Sequence, residues 1–290
     1  MNDRRFLVST VFLLSVSLAG CRAVGGVPAT ACDRISSAQV VAIGESHDKM
    51  EHHLAERDAL LCMLRGARKS GAPVLLGMEM FQRPFQAPLD DYVAGRIDEA
   101  EMLRLTEYAT RWRFDPELYA PLWRTARQEG VRIIALNVPA EIATKVGRQG
   151  LDALTLGERL SVARTVDLDV PSHNKRIRGY FGGGGAHGMS AARIDTLYQA
   201  QTLWDETMAE TAAVALEAAG EGARMLVVAG SYHVQEFDGI PDRIARRRPL
   251  APRPLVVVLR YRAAPGEPAD DGPPDAELAD IVLRVRASKP

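Results

Sequence analysis

Five short runs of continuously apolar sequence constrain this chain more than any other feature. They are QVVAIG (39–44), PVLLGMEMF (73–81), VRIIALNVP (131–139), RMLVVAGSYHV (224–234) and RPLVVVLRY (253–261). None alternates apolar with polar residues. Each therefore predicts a strand buried on both faces, as in a parallel sheet covered by helices. The stretches between them read as helices. After the first run, Met50, Leu54, Leu61 and Leu64 recur at helical spacing up to a stop at Gly71. Pro139 opens another helix, and 190–220 is a long one with Ile194, Leu197, Gln201, Trp204, Met208 and Ala215 near one stripe. The expected class is α/β, a mainly parallel sheet flanked by helices. The mostly helical segment 84–130 and the loop-rich segment 151–189 are too long for simple crossovers. They are expected to build a smaller helical cap over one end of the sheet. The polar Pro/Gly stretch after the fifth run predicts a hairpin or linker, and DIVLRVR (280–286) a last edge strand.

The front of the chain bears on compartment. MNDRR is a basic start, FLVSTVFLLSVSL an apolar core of signal-peptide length, and LAGC (18–21) a bacterial lipobox that would leave Cys21 as a lipidated N-terminus. The expected organisation is a signal peptide at 1–21, a tether at 22–34, an α/β domain at 35–262, and a hairpin with an edge strand at 263–290. No later stretch approaches the roughly 18 apolar residues of a membrane span. The lipid anchor would therefore tether the protein to a membrane of the bacterial cell envelope, and the outer membrane is expected. A hydrophobic content of 47% allows a sizeable core, and a net charge of −1 argues against nucleic acid as a partner. Cys32 and Cys62 remain after processing. They return to the same end of the sheet in an oxidising compartment, which permits a disulfide; two buried free thiols are the alternative.

Ligands of open parallel sheets bind beyond the carboxyl ends of the strands. Strand one ends in Gly44-Glu45-Ser46-His47-Asp48, strand two in Met78-Glu79-Met80, strand three in Asn137, and strand four in Gly230-Ser231-Tyr232-His233. Two carboxylates, two histidines and an asparagine from four strands thus converge on one edge. His52 and His53 are adjacent, so they lie about 100° apart on a helix. One is expected to line the site and the other to be solvated. No HExxH, CxxC or HxH supports a structural zinc site, and no GxSxG supports a serine hydrolase.

The stretches GESHDKMEHH, GMEMFQRPFQAPLDDYVAG, ALNVPAEI, QTLWDETMA and VVAGSYHVQEFDGIP resemble the ChaN-type haem-binding lipoproteins over about residues 35–245. That family belongs to the TIKI/TraB superfamily, with the erythromycin esterases and TIKI-type metalloproteases. The resemblance carries over Gly44, Glu45 and His47, then Glu79, then His233. Tyr232 departs from the Gly-x-Gly-His form expected of the last motif. The resemblance implies haem or iron handling, with an outer-membrane haem receptor and a homodimer among the partners. Haem needs an axial ligand, cations for its propionates and an apolar slot. HNKRIRGYFGGGGAHGM (173–189) offers His173, Lys175, Arg176, Arg178, Tyr180, Phe181, His187 and Met189. Tyr180 is the first candidate ligand, with Tyr232 and His187 behind it, and Arg176 and Arg178 the propionate partners. A mobile basic loop with incidental aromatics is the plainer alternative. The competing function is a metal-dependent hydrolase, with Glu45 or Glu79 as general base and His47 and His233 holding a divalent metal. A structural lipoprotein with a vestigial site is a third reading.

Overall fold

In a computed structural model the described residues are 26–183, 189–262 and 273–286. The elements are α1 (Ala29–Ser37), β1 (Val40–Glu45), α2 (Met50–Ser70), β2 (Val74–Gln82), α3 (Gln86–Val93), α4 (Glu99–Leu105), α5 (Tyr108–Arg111) and α6 (Pro116–Gln128). Then come β3 (Arg132–Asn137), α7 (Ala140–Gln149), α8 (Leu156–Leu160), α9 (Pro171–Gly183), α10 (Ala191–Ala219) and β4 (Arg224–Gly230). The chain closes with α11 (Ser231–Val234), α12 (Ile240–Arg247), β5 (Leu255–Tyr261), α13 (Asp275–Leu278) and β6 (Ile281–Val285). The six strands form one sheet in the order β3-β2-β4-β1-β5-β6. Every pairing is parallel. The mainly parallel sheet expected from the apolar runs is therefore wholly parallel.

Both faces are covered, which is why the strands read as unbroken apolar runs. In β1, Val41 and Ile43 pack with α2 and α6, whereas Val40 and Ala42 pack with α10 and α12. β4 divides the same way, with Leu226 and Val228 on the first face and Met225, Val227 and Ala229 on the second. A third, smaller cluster joins α7 and α10 through Ile142, Val146 and Leu203.

Three expectations are corrected. β6 runs parallel to β5, with Val257 opposite Ile281 and Tyr261 opposite Val285. β5 and β6 are therefore not the two arms of a hairpin, because a hairpin can only join antiparallel neighbours. The tether expected at 22–34 is structured from Ala29 on. There α1 buries Ala31, Cys32 and Ile35 and is bonded to α2 through Cys32–Cys62, with Cα atoms 5.3 Å apart. The contact between these helices is close: a Cβ on Gly66 would lie 1.9 Å from the carbonyl oxygen of Ser36. Finally, within the segment 151–189 expected to be loop-rich, Pro171–Gly183 form helix α9. Its buried positions, His173 and Ile177, are one turn apart, and two apolar-facing positions are too few to show a period in the sequence. Cys21 and His187 lie outside the described residues.

Candidate functional site

Strand register builds the site. Glu45 lies opposite Gly230 in the β1–β4 pair, and Met78 lies opposite Val228 in the β2–β4 pair, so β1, β2 and β4 deliver their ends to one edge. Glu45 continues the Val41–Ile43 face and turns toward α6, where its Oε1 accepts a hydrogen bond from the Tyr119 hydroxyl at 3.0 Å. The same oxygen bonds His47 Nδ1. The His47 ring is wedged edge-on against Trp112, with centroids 4.8 Å apart, and beside Phe114 at 5.2 Å. Its side chain stays 29% exposed. Burial alone would lower the His47 pKa, but its hydrogen bond to the Glu45 carboxylate and the charges of Glu79 and Glu45 raise it. Gly230 is the floor beneath this ring. A Cβ there would stand 2.8 Å from His47 Cε1 and 3.0 Å from Nε2, so only glycine lets the histidine lie flat on the strand end.

Glu79 forms the second arm. Its Oε2 accepts the Gly230 N–H at 2.7 Å, and its Oε1 lies 3.4 Å from His233 Nε2. His233 Nδ1 meets Asp205 Oδ1 of α10 at 2.5 Å and the Gln201 side chain at 2.9 Å. Asp205 Oδ2 in turn lies 2.9 Å from His173 Nε2 of α9, and Arg243 of α12 stands 3.4 Å behind His173. Burial would favour neutral His233, but the charges of Glu79 and Asp205 outweigh it and push the pKa up to about 10. Burial likewise opposes ionised Glu79, yet His233, His47 and the Gly230 N–H hold it down at about 2. Asp205 is also held low, against burial, by His233 and His173. The two carboxylates that flank His233 thus favour its charged form.

The two halves of the sequence reading occupy one cavity of about 350 Å³, walled by Glu45, His47, Gln201, His233, Tyr180 and Tyr232. That volume is at the lower end of small-ligand pockets. Tyr180 and Tyr232 are 52% and 41% exposed at its lip, their ring centroids 4.5 Å apart, and Phe181 packs on Tyr180 at 5.3 Å.

Several expected roles change. His233 stands between two carboxylates, with Nδ1 at Asp205 and Nε2 at Glu79, on the same cavity as His47. Arg176 is not a propionate clamp: only 8% exposed, it donates to the Tyr232 carbonyl at 2.9 Å and pairs with Asp238. It pins the turn after His233, where Glu236 and Phe237 both hold left-handed backbone at φ 59° and 65°. Arg178 pairs with Asp195 at 2.5 Å and lies over the Tyr198 ring. His173 is fully buried within the network. Neither His52 nor His53 is solvated. His52 accepts the Ser46 N–H at 3.0 Å, and burial together with its neighbour His53 lowers its pKa to about 4. Tyr119 and Asp205 were not anticipated. Asp205 had a signal: an acid adjoining the apolar stripe Gln201–Trp204–Met208 of a helix that must be buried.

The fold and site define an all-parallel α/β domain that carries a carboxylate–histidine network under an aromatic-lipped pocket. The chain belongs to the family described as haem-binding uptake, Tiki superfamily, ChaN, which matches residues 31–244. The family binds haem. The chain is similar to ChaN of Campylobacter jejuni, whose structure shows cofacial haem binding. The two share 18% identity over 86% of this chain and 89% of that one, with a TM-score of 0.64. It is also similar in fold to the type III effector HopBA1, with 13% identity over 90% of this chain and 93% of that one and a TM-score of 0.51. Among curated proteins it matches Protein RETICULATA-RELATED 5, chloroplastic, of Arabidopsis thaliana, 24% identical over 82% of this chain. It spans 33% of that relative's length.

Proposed function

We propose that this protein binds ferric haem in the cavity at the carboxyl ends of the strands, as a lipid-anchored envelope protein serving iron acquisition. The lip of the cavity carries the reading: two exposed tyrosines and a phenylalanine form an aromatic slot above His47 and Gln201. Apolar surface gathered in this way commonly marks a binding site. A tyrosinate is a hard donor suited to ferric iron, as in catalase. Burial and the neighbouring Tyr180 raise the Tyr232 pKa, and Tyr180 is the more exposed of the two rings. Tyr180 is therefore the first ligand and Tyr232 the second. Anchoring through Cys21 would hold the pocket at the membrane, where an outer-membrane haem receptor would exchange ligand with it. A second copy facing the aromatic lip fits the cofacial haem of the Campylobacter jejuni relative.

The test is a haemin titration of the purified protein followed in the Soret region. The wild type should shift the band at one haem per chain, and Tyr180→Phe should change the spectrum, since it keeps the ring but removes the oxygen. A flat response from the wild type would sink the proposal. One observation favours hydrolysis as a second reading. Glu45 orients the Nδ1 side of His47 while the ring remains exposed to the cavity, as a general base requires. Ester turnover abolished in His47→Ala would support that reading.

A further inference from the structure

Behind the cavity lies a second group of ligating side chains that the haem reading does not use. Glu45, His53 and Glu56 are buried, and each places one ligating atom within 4.8 Å of the others. His53 and Glu56 come from consecutive turns of α2, and Glu45 from the end of β1. His53 Nε2 lies 3.2 Å from the His47 backbone carbonyl, which can only accept. The N–H of this ring is therefore on Nε2, and the Nδ1 lone pair points at Glu56 Oε2, also 3.2 Å away. Two acceptors facing each other repel unless something positive lies between them. The other oxygens, Glu45 Oε2 and Glu56 Oε1, are buried and have no hydrogen-bond partner.

A histidine whose far nitrogen donates to a backbone carbonyl is oriented as metal-ligating histidines are. Two ligands held about 2.0–2.1 Å from a tetrahedral ion stand roughly 3.3 Å apart, close to the observed separation of Nδ1 and Oε2. A dication would also neutralise the two carboxylates and give the orphaned oxygens a partner. The Tyr119 hydroxyl already steadies Glu45 from outside the group. Glu45 lines the cavity as well, so the group adjoins the cavity wall. We infer that Glu45, His53 and Glu56 form a divalent-cation site of zinc type, with one imidazole nitrogen and two carboxylates as ligands, behind the haem pocket and sharing Glu45 with its wall. The competing occupant of the same gap is a single proton shared by His53 and Glu56.

Metal alone separates the two, independently of haem. The full chain, stripped with a chelator, is titrated with Zn²⁺ and with Co²⁺. The site predicts one equivalent of Zn²⁺, a raised melting temperature, and visible d–d bands with Co²⁺. Glu56→Gln and His53→Gln should each weaken Zn²⁺ at least ten-fold and erase those bands. No uptake by the wild type, or uptake unchanged in both variants, would overturn the inference. Should either variant misfold, wild-type crystals soaked in Zn²⁺ decide: an anomalous peak between His53 Nδ1 and Glu56 supports the site, and its absence there ends it.

Discussion

Asp205 is the residue on which the electrostatics of the pocket turn. It has no exposure, and two histidines share its carboxylate. Removing one partner of a buried charged set leaves the others uncompensated, which typically costs about 3–5 kcal/mol. Asp205→Asn should therefore lower stability by about that amount in urea titrations. It should also lower the His233 pKa well below about 10, read by NMR titration of the ring. The pH dependence has a definite sign. The His233 pKa is raised by folding, so its contribution is complete below the ordinary histidine value and fades as pH climbs toward about 10. The Glu79 pKa is depressed, so its contribution is complete above the ordinary carboxylate value and fades as pH falls toward about 2. Stability of the wild type should thus erode on both sides of a mildly acidic plateau. In Asp205→Asn the alkaline loss should begin at lower pH, and identical alkaline limbs in the two proteins would refute this account.

The helices set what the strands cannot. α1 and α2 are cross-linked at Cys32–Cys62, closing a separation of 30 residues. By loop-closure entropy such a bond stabilises by about 3–4 kcal/mol. Cys62→Ala should lower the unfolding free energy by about 2–4 kcal/mol, measured by urea unfolding, with a steeper slope because the unlinked denatured chain exposes more surface. A loss below about 1 kcal/mol would mean that the α1–α2 contact at Gly66 already holds the pair. α9 shows why some elements escaped the sequence. It buries only His173 and Ile177 fully, while GGGG at its end suggests a loop. Its helical character comes from docking on α10, where Arg178 pairs with Asp195, while Arg176 reaches Asp238 in the turn before α12.

At the scale of the whole molecule, β1, β4 and α9 make one pocket from segments that read as two sites. His47 and Tyr180 border the same cavity. Haem binding should therefore respond to both. His47→Ala is expected to weaken haemin about ten-fold, which corresponds to about 1.4 kcal/mol, without removing the tyrosinate spectrum. Unchanged affinity in His47→Ala would show that the ligand sits wholly on the α9 side.

The sequence by itself determined the parallel sheet, because strands buried on both faces must be apolar throughout. It also determined which residues stand at the strand ends: Glu45, His47, Glu79 and His233 follow from where each apolar run stops. Only the tertiary structure decided what those residues touch. Glu45 meets Tyr119 across 74 residues, Glu79 meets Gly230 across 151, and His233 meets Asp205 across 28. These partners arrive on α6, β4 and α10, whose placement is set by long-range packing. A local pattern of apolar and polar residues records which face of an element is buried, but not which element will cover it, and the charges of this pocket depend on the second.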